Sequence, residues 1–169
     1  MRSCRTISRA REAICDTSPI QYLHQIGSLH LLSELYARTI IPPAVVGELE
    51  RGRSIGIDLP DVRALPWLAI QAPGTPGVAL PAMGLGAGER EVLALGAELP
   101  EAVLILDERL GRLHAGALNL TFTSTLGILL RAKAEGRTGR IEPLLVELDR
   151  LGFRLARTTR AAALKLAGE

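Results

Sequence analysis

The chain has 169 residues, of which 47% are hydrophobic and only 3% aromatic. That length supports one domain over 1–169, and the core must be built from Leu, Ile, Val and Ala, which favours an α/β layer fold over an aromatic-rich β-sandwich without excluding a helical bundle. Lys+Arg is 20 against Asp+Glu 18, a formal net charge of +2, which argues against a protein that coats nucleic acid nonspecifically and leaves a local basic patch open.

Nearly all the positive charge is arginine, since Lys133 and Lys165 are the only lysines. Arginine's planar fork suits phosphate recognition, although the base composition of a genome produces the same bias. Cys4 and Cys15 are the only cysteines. Cys15 falls in an expected buried strand, where a thiol acts as a small hydrophobe, so a reducing cytoplasm is the expected compartment. No run of about eighteen apolar residues occurs, so no membrane span is expected. Residues 1–11 lack the apolar segment of a signal peptide and read as a disordered basic leader or an over-extended start.

The run Ala13-Ile14-Cys15-Asp16 predicts a buried parallel strand that ends on an acid. Ser18 is the expected N-cap, and Pro19 the first residue, of a helix that carries Ile20, Leu23 and Ile26 and stops at Gly27. Ser28 opens a second helix through Leu31, Leu32 and Leu35. Thr39-Ile40-Ile41 reads as a short strand, and Pro42-Pro43 start a helix through Val45 and Leu49 as far as Arg51. Asp61 to Leu65 reads as a short helix, Leu68 to Ile70 as a third strand or edge segment, and Ala72 to Gly88 as a Gly- and Pro-rich loop.

A helix is predicted from Glu89 to Glu98, then a strand over Val103 to Leu106, which again ends on an acid, Asp107. The next helix places Leu110, Leu113 and Ala117 on one face, and Leu120 to Phe122 reads as a fifth strand. After Thr125, residues Leu126, Leu129, Leu130 and Ala134 share a helical face; Pro143 begins another helix with Leu144, Leu148 and Leu151 inward. Phe153 to Leu155 reads as a terminal strand, followed by a basic, weakly helical tail. Strands alternating with helices imply right-handed βαβ units and a parallel sheet, and such sheets keep ligand sites at the carboxyl ends of their strands.

Four acids stand out: Asp16 and Asp107 at strand ends, Glu48 beside the buried stripe of its helix, and Glu89 in a first helical turn. Taken singly, each has a plain alternative. Asp16 and Asp107 cap turns or helices, Glu48 is a surface acid flanked by Arg51, and Glu89 is favoured by the helix dipole. Taken together they form a different pattern, because crowded carboxylates repel and need protons or cations to neutralise them. Hard divalent ions with oxygen ligands supply that neutralisation. His24, His30 and His114 have neither the mutual spacing nor the cysteine neighbours of a zinc site. Gly84 to Gly88 lacks the Lys-Ser/Thr of a phosphate loop, and no nucleophile elbow is present.

Asp16-Thr17-Ser18-Pro19, Ile41-Pro42-Pro43-Ala44-Val45-Val46-Gly47-Glu48-Leu49, Gly86-Ala87-Gly88-Glu89-Arg90-Glu91 and Leu104-Ile105-Leu106-Asp107-Glu108-Arg109 together resemble the PIN domain, most closely its VapC-like toxin branch. Thr125-Leu126-Gly127-Ile128-Leu129 and Leu151-Gly152-Phe153-Arg154-Leu155 are similar to that branch as well, so the resemblance covers residues 12–156. It implies a three-layer α/β/α domain with a central parallel sheet in the order 3-2-1-4-5, which makes Asp16 and Asp107 neighbours. It implies metal-dependent hydrolysis of RNA that leaves a 5′-phosphate, with Asp16, Glu48, Glu89 and Asp107 holding Mg²⁺ or Mn²⁺. Ser18 matches a small polar residue beside the first acid, and Thr125 a hydroxyl near the substrate. The branch implies a homodimer and a small antitoxin as partner. Three positions depart from it: Glu108 stands where a second aspartate is usual, Ser124 where a glycine is common, and Gly111 where an alanine is usual.

The expected chemistry is in-line attack by a metal-activated water on an RNA phosphodiester. Arg109 and Arg112, in the first turns after Asp107, are expected on the RNA backbone, the alternative being a solvated helix face. Two rival functions remain open: a PIN-like module that binds RNA or protein without cutting, and a receiver-like domain phosphorylated on Asp16. The second lacks a suitably placed lysine.

Overall fold

Ala13, Ile14 and Cys15 have no exposed surface, as a strand covered on both faces of a parallel sheet requires. In the computed structural model, which describes residues 11–74 and 84–169, these residues belong to β1 (Glu12–Cys15), the middle of a five-stranded sheet. The expected leader, with Cys4, and the 75–83 part of the expected loop lie outside the described residues.

The chain continues through α1 (Thr17–Gln25), α2 (Leu31–Leu35), β2 (Arg38–Ile41), α3 (Pro43–Ser54), a short 3₁₀ turn over Val62–Ala64, and β3 (Leu68–Ile70). Then come α4 (Ala87–Glu98), β4 (Val103–Ile105), α5 (Arg109–Ala117), β5 (Phe122–Thr123), α6 (Thr125–Ala134), α7 (Glu142–Arg150) and α8 (Arg157–Ala167). The sheet order is β3-β2-β1-β4-β5 and every pairing is parallel. Ile14 lies level with Ile40 on one side and Leu104 on the other, so apolar residues stack across the centre. Helices flank the sheet in a PIN-like α/β/α arrangement, with α3 packed on α1 and α4, α4 on α5, and α6 on α2 and α8. Among the described residues no helix is long and apolar enough to cross a membrane.

Several local expectations change. Helix α1 starts at Thr17 with Asp16 as N-cap, earlier than the Ser18 cap predicts. Pro19 is accommodated because the amides of a first helical turn need no helical partner. Helix α2 starts at Leu31, after a turn in which the Leu31 amide donates to the Ser28 carbonyl at 3.1 Å. On α5 the expected face is the wrong one: Leu110 and Leu113 are 37% and 57% exposed, while Gly111 and Ala115 face inward. The small pair lets the helix lie close to its neighbours.

On α6 the buried stripe is Thr125, Leu126, Ile128, Leu129 and Ala132, with Ala134 turned outward. Two hydrogen bonds draw Thr125 inward, and they set the rotation of the helix. Leu151 is likewise outward, and Ile141, Leu145 and Leu148 form the inner stripe of α7. Strand β5 begins later than expected, at Phe122, because Asn119 turns the chain with a left-handed φ of 56° after α5.

The expected terminal strand does not form. Phe153 packs edge-on against Tyr22 instead, with ring centres 5.0 Å apart. The tail beyond 156 is not an appendage: α8 packs on α6 and buries Ala163. The Glu169 carboxylate accepts the Ile141 and Glu142 amides at 2.8 and 3.0 Å, capping the start of α7. It also pairs with Lys133 at 3.3 Å.

Candidate active site

The end of β1 and the end of β4 are tied together by the backbone. The Asp16 amide donates to the Ile105 carbonyl at 3.2 Å, and the Leu106 amide donates to Thr123 at 2.9 Å. The chain therefore leaves both strands side by side, bringing Asp16 and Asp107 to one edge of the sheet, where an open α/β fold has its crevice. Asp16 is only 4% exposed. Burial pushes its carboxyl up to about 7, against the Thr17 amide, and the nearby charges of Glu89, Glu48 and Asp107 push the same way. The other three acids singled out in the sequence thus all act on Asp16.

Glu48 reaches the cluster from α3. Thr17 donates its hydroxyl to Glu48 Oε2, and the Gly88 amide donates to Oε1 at 3.0 Å. A Cβ on Gly88 would fall 2.9 Å from Glu48 Oε2 and 3.1 Å from Asp16 Oδ1. The bare glycine therefore lets α4 approach two carboxylates that face the same small space. The alternative of Glu48 as a surface acid flanked by Arg51 is not what the structure shows: its carboxylate is engaged by Thr17 and Gly88, and the Arg51 guanidinium lies towards Gly47 on its own helix.

Glu89 has two roles, one per oxygen. Its Oε2 accepts the Gly86 amide at 3.1 Å, closing the first turn of α4 as the helix dipole favours. Its Oε1 is buried without a hydrogen-bond partner among the described residues. A buried acceptor in that state is costly, and the cost needs a ligand or a proton to offset it.

Asp107 is gripped by Thr125, whose amide donates to Oδ1 at 2.8 Å and whose hydroxyl donates to Oδ2 at 2.7 Å. Burial raises the Asp107 carboxyl above its ordinary range, Thr125 and then Arg112 oppose the shift, and Glu108 adds to it. Thr125, matched to a hydroxyl near the site, has no exposed surface and orients Asp107. Ser18 is half-buried on α1 and makes no hydrogen bond among the described residues; the neighbouring Thr17 is the hydroxyl that engages the acids. Arg109 is exposed, Arg112 half-buried, and Glu108 is the exposed N-cap of α5, outside the set of acids acting on Asp16.

The donor set is all carboxylate oxygen, which suits a hard divalent cation such as Mg²⁺ or Mn²⁺. The partnerless Glu89 oxygen and the space shared by Asp16 and Glu48 fit such an ion. Among the described residues no three acids close into a ready-made metal cage, so the fit is to an ion held by few carboxylates, with water filling its remaining positions.

Sequence reasoning missed Thr17, Gly88 and Gly111. The signal for Thr17 was its place directly after the strand-end acid. The glycines gave none, because their role is the room they leave for carboxylates from other elements.

A family model described as a PIN domain matches residues 12–169. Among solved structures the chain is similar to a PilT N-terminus domain protein from the hyperthermophilic archaeon Sulfolobus solfataricus. The TM-score is 0.54 at 20% identity, and the match covers 72% of this chain and 92% of the other. That likeness carries the fold. No protein of curated function matches the sequence.

Proposed function

The chain belongs to the PIN-domain family, and from that membership and its acid cluster we propose that it is a metal-dependent ribonuclease hydrolysing RNA phosphodiesters. The single observation that carries the reading is a crowding of acids: the buried Asp16 shares a small space with Glu48, their oxygens 3.1 and 2.9 Å from where a Cβ on Gly88 would fall. Such a cluster is unfavourable as a structural device and suited to binding a cation.

Asp16, Glu48, Glu89 and Asp107 are the residues that would hold Mg²⁺ or Mn²⁺. When bound, the ion supplies an acidified water and charge neutralisation at the phosphate. The chain's own residues do the positioning. Thr125 fixes both oxygens of Asp107, Thr17 and the Gly88 amide fix Glu48, and the closeness of α4 and α5 keeps bulk water from the buried faces of Asp16 and Glu89. Arg109 and Arg112, at the start of α5, are placed to receive the RNA backbone.

Within this reading we further propose the role of a VapC-like toxin, with a small antitoxin and a homodimer as its assembly. A second reading, a PIN-like module that binds without cutting, is favoured by the lack of a closed three-acid cage among the described residues. One titration separates the two. A ribonuclease binds Mn²⁺ at this cluster and cleaves single-stranded RNA in its presence, and both properties disappear in Asp16→Asn and Asp107→Asn. Cleavage by both variants at the parent's rate sinks the ribonuclease reading.

A further inference from the structure

A cleft of about 570 Å³ opens directly beside Asp107 and Glu108. It runs between α1, α5 and the segment joining α7 to α8, and Tyr22, Arg112, Phe153, Arg154 and Thr159 are among its walls. Its volume lies in the range of pockets that take a small organic ligand, about 300–1,000 Å³.

Three features bear on what it takes. The chain has one Trp, two Tyr and two Phe, and two of these five rings meet at this cleft, Tyr22 and Phe153, edge to face at 82°. A phenol hydroxyl is protonated at neutral pH, so Tyr22, which lines the cleft, offers it a donor. The third feature is the arginines. Arg38, Arg53, Arg63, Arg131, Arg140, Arg150 and Arg160 each have a carboxylate partner. Arg112 and Arg154 line this cleft without an ion pair among the described residues, as several arginines elsewhere on the chain also stand, and the charge of Arg112 acts on Asp107.

Unpaired guanidinium groups next to an aromatic pair suit a nucleotide whose base has left its stack: phosphate to arginine, base to ring. We propose that this cleft holds one splayed-out nucleotide of single-stranded RNA, adjacent to the phosphate at the acid cluster, with Arg112 and Arg154 on its phosphates and its base against Tyr22 and Phe153. The proposal rests on the ribonuclease reading and adds to it the side chains that seat one nucleotide beside the acid cluster.

The test uses the full chain carrying Asp16→Asn, so that the RNA survives, with a single-stranded octamer bearing 5-iodouridine and a duplex of the same sequence. Irradiation joins iodouracil to the aromatic ring it touches. Adducts on Tyr22 or Phe153 are expected. Adding Arg154→Ala should weaken octamer binding about fivefold, the size of one lost charge-assisted contact, and leave duplex binding unchanged. Adducts confined to Tyr36, Trp67 or Phe122, or an affinity indifferent to Arg154→Ala, overturn the proposal. Protection of the cleft by an arginine-containing peptide, with no adduct from the octamer, overturns it in favour of a protein partner. Hydrolysis by the parent chain with Mn²⁺ is read separately. Adducts at Tyr22 without hydrolysis overturn the ribonuclease reading and leave the cleft, whereas hydrolysis without such adducts overturns the cleft and leaves the ribonuclease.

Discussion

A Cβ on Gly111 would lie 2.8 Å from Glu89 Oε1. The partnerless oxygen of Glu89 therefore occupies the space that any other residue at 111 would fill, and the glycine on α5 sets where an acid on α4 rests. The usual cost of glycine inside a helix, about 0.5–1 kcal/mol relative to alanine, is accepted here at a point that touches the acid cluster.

Gly111→Ala separates stability from site geometry. The helix gains its propensity while the flexible end of Glu89 is pushed aside. Denaturant unfolding should show a stability equal to or up to about 0.5 kcal/mol above the parent. Calorimetric titration should show Mn²⁺ binding weakened severalfold. An unchanged affinity would remove Glu89 from the cluster.

Thr125→Val keeps the shape of the side chain and the amide donor to Asp107 but deletes the hydroxyl donor. A hydrogen bond to a charged group contributes about 1.5–3 kcal/mol, so a loss of about 2 kcal/mol in stability is expected. RNA hydrolysis should fall at least about tenfold. Thr125→Ser, which restores the donor, should recover most of both.

The metal-free protein should become less stable as the pH rises towards neutrality. The Asp16 carboxyl moves from 3.8 to about 7 on folding, so between those values the folded chain holds a proton that the unfolded chain releases. Its contribution is fully present below the lower value and lost as the pH climbs through the upper one. In EDTA, Tm should fall between pH 5 and pH 7.5. Asp16→Asn should flatten that slope, and Mn²⁺ should restore Tm at pH 7.5 in the parent only. A parent whose Tm ignores both pH and Mn²⁺ would contradict the cluster's electrostatics.

Glu169 titrates the other way. Burial raises its carboxyl, but the amides of Glu142 and Ile141, with Lys133, more than offset this and hold it below the ordinary range. Its contribution is present above the unfolded value and lost as the pH falls through the folded one. Glu169→Gln should lower Tm by a few degrees at neutral pH, and the difference from the parent should shrink in acid. Thermal scans of both proteins at several pH values decide this.

Strands β1 to β4 and the two acids at strand ends, Asp16 and Asp107, were legible in the sequence because a buried parallel strand is a plain apolar run, and an acid at its end breaks the run abruptly; Glu48 and Glu89, on helices, stood out only beside them. The helix faces were legible only in part. On α5 the leucines and the small residues each make a helical stripe, and what selects Gly111 and Ala115 is the acid on a neighbouring helix. On α6, Thr125 reads as a cap or a surface hydroxyl until Asp107 is beside it. Ser18 and Thr17 are adjacent and chemically alike, and the start of α1 at Thr17 decided which one meets Glu48. In each case the deciding contact comes from a distant part of the chain.

The lateral pairing of β1 with β4 has a consequence in time. Their residues meet only after four intervening α-helices and two further strands have been made, and long-range parallel pairing is a slow event in folding. A ribosome-bound chain that has emerged only as far as α4 carries Asp16, Glu48 and Glu89, yet Asp107 and the strand that places it do not exist. The acid centre therefore comes into being late in synthesis, when the sheet's middle strand finds its second neighbour.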